Sequence, residues 1–110
     1  MFGMSNIKEI DVHELNQKLS DSPDTFKLID VRTPAEYARA NLKGAENIPL
    51  HIIPIRIEEF DPDMEYVIYC QTGARSAQAC AFMSSKGVTN VYNVRGGIVS
   101  WAQMGFSIEV

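Results

Sequence analysis

The patterning of this chain predicts an α/β fold: a compact parallel-sheet domain of about five strands with helices on both faces. Three observations predict it. Short runs of β-branched and aromatic residues alternate with segments of helical period along the whole length. Capping and turn residues separate these runs at nearly every junction. The run Tyr66-Val67-Ile68-Tyr69 is apolar at consecutive positions, as a strand buried on both faces must be. With 110 residues, positions 1–110 read as a single domain large enough for one core.

Taken in order, Ile7 to Ile10 reads as a short opening strand. Asp11-Val12-His13-Glu14 is a capping box, with Asp at the N-cap and Glu three positions on. Val12, Leu15 and Leu19 follow at helical spacing, and Ser20-Asp21-Ser22-Pro23-Asp24 ends that helix in a turn. His13, in the first turn, is expected in solvent. Phe26 to Val31 is the next strand, followed by a second capping box, Thr33-Pro34-Ala35-Glu36, that opens a short helix to about Ala40. Arg32 and Glu36 are close enough in sequence to form a structural ion pair across this turn. Asn41 to Ala45 is a turn, and Glu46 to Ile48 is extended, as Pro49 requires of the residue before it.

His51 to Phe60 supports two readings. Ile53, Ile55 and Ile57 alternate as in a strand, whereas Pro54 argues against a central strand and for a short helix. After Tyr66–Tyr69 comes a tight loop. A helix then runs from Ser76, rich in Ala, Gln and Met, with Gly87 just past its end. Val91 to Val94 is the last strand. Arg95-Gly96-Gly97 turns into a final helix carrying Ile98, Trp101 and Ala102, with Gly105 as its cap and an extended tail from Phe106.

Candidate chemistry centres on Cys70-Gln71-Thr72-Gly73-Ala74-Arg75-Ser76. Cys70 lies at the carboxyl end of a strand, where open α/β sheets bind ligands. It also faces a helix amino end, whose unpaired N–H groups favour an anion. Both effects favour thiolate, lowering a free thiol pKa of about 8.5 toward roughly 3.5–7.5. Gly73 lets successive N–H groups point inward as an anion nest, and Arg75 adds a guanidinium fork suited to an oxyanion. From this stretch alone, a buried packing cysteine and a reactive one stand level. Asp30, Arg32 and Arg95 also fall at strand ends, so they form a candidate pocket rim with Cys70. For Asp30 a turn acceptor is the expected role, ahead of a catalytic acid. His51, on a loop, is a minor candidate for proton transfer.

Composition narrows the function classes. Net charge is −4 with no Lys/Arg cluster, which argues against a duplex nucleic-acid partner and gives no support to an electrostatic membrane contact. Apolar residues make up 45% and charged residues 22%, an ordinary globular balance. No apolar run reaches spanning length, and the opening residues lack a basic region followed by an apolar stretch, so a cytoplasmic protein is expected. Cys70 and Cys80 are the two cysteines, without metal-ligand spacing. Cys80, in the helix after the loop, is expected to be an inert core thiol too far from Cys70 for a disulfide.

With these residues in view, nearly the whole chain resembles the single-domain rhodaneses, a family of sulfurtransferases. The resemblance is carried by Asp30-Val31-Arg32-Thr33-Pro34-Ala35-Glu36-Tyr37, by Gly44-Ala45-Glu46-Asn47-Ile48-Pro49, by the Cys70–Ser76 loop and by Gly96-Gly97-Ile98 with Trp101 and Gly105. One such string is weak; the ordered set is specific. The chain departs from the family at Ala40-Asn41-Leu42, where Gly-His-Ile is common. The resemblance implies that Cys70 takes the outer sulfur of a small anionic donor, thiosulfate or a relative, and holds it as a persulfide. The sulfur then passes to cyanide or a thiol acceptor, including a protein thiol. It implies that loop N–H groups from Gln71 to Ser76 stabilise the persulfide, that Arg75 orients the donor, and that no metal or organic cofactor takes part. Two rivals follow from the same resemblance. Rhodanese-like domains also serve as non-catalytic docking modules, which commonly lack the cysteine. Phosphatases and arsenate reductases of this fold space cysteine and arginine more widely, whereas four residues separate Cys70 from Arg75.

Overall fold

The computed structural model describes residues 7–110. Met1 to Asn6, part of the opening stretch read above for leader patterns, lies outside the described residues. Five strands form one sheet in the order β1-β5-β4-β2-β3, and every pairing is parallel. The strands are β1 (Glu9–Ile10), β2 (Phe26–Asp30), β3 (Glu46–Asn47), β4 (Glu65–Tyr69) and β5 (Val91–Val94). The helices are α1 (Val12–Asp21), α2 (Pro34–Arg39), α3 (Ala74–Ser85) and α4 (Gly97–Gln103).

Both capping boxes form as their sequences predict. Asp11 accepts from the Glu14 N–H at 2.8 Å while Glu14 accepts from the Asp11 N–H at 3.0 Å. Thr33 and Glu36 exchange the same pair of bonds at the start of α2. Three expectations are corrected. The opening strand is only Glu9–Ile10, because β1 is an edge strand paired at just two register positions. The helix α3 begins at Ala74, two residues earlier than read, since Gly73 at φ 118° already serves as its N-cap. The ambiguous stretch is neither a strand nor a regular helix. It folds into two 3₁₀ turns, Leu50–Ile52 and Ile57–Glu59, that drop Ile53 fully into the core and leave Ile55 76% exposed.

The central strand distributes its side chains to two cores by the period of two. Tyr66, Ile68 and Cys70 join Ile29, Val31, Ile53, Cys80 and Met83 under α3. Val67 and Tyr69 join Leu15, Leu28, Val94, Ile98 and Trp101 under α1 and α4. Helices therefore cover both faces, as predicted. Cys70 is the first residue past β4 and keeps that strand's alternation, which is what aims its sulfur toward α3.

Leu15 is completely buried, so Leu15→Ala is expected to lower unfolding free energy by about 2–5 kcal/mol in urea titration. Ile55→Ala is expected to stay within roughly 0.5 kcal/mol of the parent by the same measurement.

Candidate active site

The carboxyl ends of β2, β4 and β5 are adjacent, and register pairs Asp30 with Tyr69 and Ile68 with Asn93. Cys70 follows at the mouth of the β4–α3 loop. The loop turns sharply through Gly73 at φ 118°, a conformation that L side chains rarely adopt. That turn brings the Gly73 N–H to 3.1 Å from Cys70 Sγ. One turn into α3, the Ser76 hydroxyl lies 3.3 Å from the same sulfur. Burial pushes the Cys70 thiol up. The Ser76 hydroxyl and the amides of Ser76, Gly73 and Thr72 outweigh burial, and the net pKa falls below the ordinary thiol value. Cys70 itself is 1% exposed, so the sulfur sits beneath the loop rather than on it.

The closing glycines hold the loop in this shape. Ile98 N–H donates to the Cys70 carbonyl at 3.0 Å, and Val99 N–H donates to the Gln71 carbonyl at 3.1 Å. A Cβ on Gly97 would lie 2.5 Å from both carbonyl oxygens, so only glycine permits the approach. With those two carbonyls turned toward α4, the following amides are free to face the sulfur.

Two residues that sequence reasoning missed complete the site. Asn93, 2% exposed, is bonded to Ser76 through its side-chain oxygen. Its amide nitrogen donates to Glu9 Oε2 at 3.0 Å and to the Gly73 carbonyl at 3.3 Å. A polar residue inside an otherwise apolar strand was the available signal for Asn93. None existed for Glu9, which lies 84 positions from Asn93 in sequence.

The charged residues pair differently from their sequence expectation. Arg32 bonds not Glu36 but Asp30, with Nη2 to Oδ2 at 2.7 Å, and both residues are buried. Asp30 also accepts the Arg32 N–H at 2.8 Å, the turn-acceptor role expected of it. Neither lies at an open rim. Arg32 reaches the loop only through Gln71, whose Oε1 accepts from Nη1 at 3.3 Å. Glu36 instead takes Arg75, in a fork of 2.7 and 3.0 Å. The hydrogen bonds from Arg75 and from Thr33 pull the Glu36 carboxyl down to about 2. Arg75, expected as an open fork for an oxyanion, thus has both terminal nitrogens engaged. Arg95 is exposed and pairs with Glu9 at 3.3 Å. Gln71, Thr72 and Ala74 are exposed on the loop's outer side, and Ser76 is fully buried beneath it.

His51 is exposed on the first 3₁₀ turn, and His13 is exposed with its ring edge-on to Phe106 at 5.8 Å. Cys80 is a buried free thiol, in the core position expected of it, and burial pushes it up to about 12. Among the described residues, no group of three His, Cys, Asp or Glu side chains is placed to hold a metal ion. No described helix is long and apolar enough to cross a membrane.

Comparison with known proteins matches residues 11–104 to the rhodanese-like domain model. The chain belongs to the rhodanese-like domain family. It is 47% identical over 102 residues to a sulfurtransferase of Allochromatium vinosum, covering 93% of this chain and 94% of that protein. It is 37% identical to the putative sulfurtransferase YtwF of Bacillus subtilis, covering 86% and 90% respectively. Among solved structures, a rhodanese-like domain protein from Staphylococcus aureus superimposes with a TM-score of 0.82 at 33% identity, covering 94% of this chain and all of that one. The rhodanese-like signatures fall where the fold needs them: the Asp30–Tyr37 string joins the end of β2 to the start of α2, and Gly97 locks the cysteine loop.

Two measurements test this geometry. The ultraviolet absorbance of the thiolate should titrate below the ordinary thiol range, and Ser76→Ala should move the midpoint upward. Because the folded pKa is depressed, this group's contribution to stability is present above the unfolded thiol pKa and is lost as pH falls through the folded value. Gly97→Ala should lower the melting temperature and return the Cys70 midpoint toward that of a free thiol, because the new Cβ must push the loop carbonyls away.

Proposed function

We propose that this chain is a sulfurtransferase that carries sulfane sulfur as a persulfide on Cys70. The observation that carries the reading is the Gly73 N–H donating to Sγ at 3.1 Å, with the Ser76 hydroxyl 3.3 Å from the same sulfur. Donors fixed around a sulfur anion stabilise the thiolate before the reaction and the charged outer sulfur after it. Relatives named as sulfurtransferases over nearly their full length support the same reading.

The reaction is covalent and runs in two halves. Cys70 thiolate attacks the outer sulfur of thiosulfate, an Sγ–S bond forms, and the S–S bond of the donor breaks with release of sulfite. An acceptor thiolate or cyanide then attacks the outer sulfur of the Cys70 persulfide. That sulfur leaves on the acceptor, and Cys70 returns as thiolate. Electrons balance within each half, so no cofactor is required. Ser76 and the amides of Thr72, Gly73 and Ser76 hold the negative sulfur throughout. The same donors lower the Cys70 thiol pKa and so raise its thiolate fraction without a dedicated general base.

Brief thiosulfate treatment should add the mass of one sulfur to the intact chain, and a small thiol should remove it. Cys70→Ala should show no gain and should form no thiocyanate from thiosulfate and cyanide. A Cys70→Ala variant that still gains sulfur, or a parent that gains none from any sulfane donor, contradicts the proposal. Hydrolysis of a phosphotyrosine analogue that depends on Cys70 would instead assign phosphatase chemistry.

A further inference from the structure

Each guanidinium near the sulfur site is already matched by a carboxylate. Arg32 holds Asp30 at 2.7 Å, Arg75 holds Glu36 at 2.7 Å, and Arg95 holds Glu9 at 3.3 Å. The second of these matters most, because Arg75 is the loop's own cation and its charge is felt at Cys70. Glu36 grips it with both oxygens. The carboxylate cannot swing aside at low cost, because the same Oε1 also caps α2 by accepting the Thr33 N–H at 2.9 Å and the Thr33 hydroxyl at 3.1 Å. At the mouth, therefore, the positive charge is neutralised by a fixed partner.

Beside this ion pair lies a groove of about 540 Å³. Arg75, Thr33 and His51 are among its polar lining, and Val31, Leu50, Ile53 and Ala79 supply apolar wall. Thiosulfate is a small dianion. It needs a net positive mouth and has no use for an apolar wall. An organic persulfide, R–S–SH, carries less charge and brings a substituent that such a wall can cover.

We propose that Glu36 sets donor specificity: by neutralising Arg75 it turns the site away from dianionic thiosulfate and toward an organic persulfide whose substituent lies in the adjoining groove. This rests on the Cys70 persulfide reading above and names its donor class. The step is balanced. Cys70 thiolate attacks the outer sulfur of R–S–S⁻, an Sγ–S bond forms, the donor S–S bond breaks, and R–S⁻ leaves to take a proton from water. Glu36 touches neither sulfur and acts through Arg75, so it is a positioning residue.

The test compares thiosulfate with n-butyl persulfide as donors, reading the rate at which sulfur mass appears on Cys70. The parent should load faster from the alkyl persulfide. Glu36→Gln preserves the side chain's shape and unmasks Arg75. It should raise kcat/KM for thiosulfate roughly three- to tenfold, mainly through KM, and make that rate fall with added salt. The alkyl persulfide rate should change little. Arg75→Gln leaves Glu36 facing the mouth and should do the reverse, lowering the thiosulfate rate and making it rise with salt. A purely structural role predicts equal losses for both donors in both variants. That outcome, or a thiosulfate rate indifferent to Glu36→Gln, overturns the inference and leaves the persulfide reading intact. If neither donor loads Cys70 in the parent, both fall together.

Discussion

The hydrogen bond from the Gly73 amide to Cys70 Sγ is the contact on which the rest of the site depends. It exists because the peptide units before it are turned the other way. α4 holds the Cys70 and Gln71 carbonyls with its first free N–H groups, and Gly97 has no side chain to obstruct them. The chain then reverses through a left-handed glycine, and the next donors face inward. A buried thiol would ordinarily be harder to ionise than a free one. Here converging donors overcome the cost of burial, and the shift runs toward thiolate. Cys80 shows the opposite result in the same core, where burial acts without compensating donors and the thiol is held protonated.

The topology supplies the neighbours. Because all strands run parallel, their carboxyl ends share one edge. β4 in the middle delivers the cysteine, β2 on one side delivers Asp30 and Arg32, and β5 on the other delivers Asn93 and the glycine turn. The buried Arg32–Asp30 pair belongs to the scaffold. It braces the loop through Gln71, whose side-chain oxygen accepts from Arg32 Nη1. Asn93 braces Ser76 from the other side and is itself oriented by Glu9 across the β1–β5 pair. The Cys70 sulfur is thus held by backbone amides and short polar links, while the long charged side chains neutralise one another around it.

Much of this was legible in the sequence. The two capping boxes are local patterns whose partners lie three residues apart, so they could be read directly. The strand before Cys70, the loop glycine and the glycine pair before α4 each carry a backbone requirement in the residue type itself. What escaped was partner choice over distance. Arg32 and Glu36 looked like a pair because they are neighbours in sequence. In the fold, Arg32 turns back to Asp30 and Glu36 meets Arg75 from 39 positions away. Residues 51–60 escaped for a different reason. Their isoleucines carry a strand's alternation, but Pro54 and the need to seat Ile53 in the core impose 3₁₀ turns that no period signals.

The central claim is that a ring of loop amides and the Ser76 hydroxyl receives a negative sulfur at Cys70. It is tested most directly by an experimental structure of the sulfur-loaded protein, determined after brief exposure to a sulfane donor. The account predicts one additional sulfur bonded to Sγ, lying within hydrogen-bonding reach of the loop N–H groups between Thr72 and Ser76. An added sulfur directed away from those amides, or loading at Cys80 with Cys70 left bare, would contradict it.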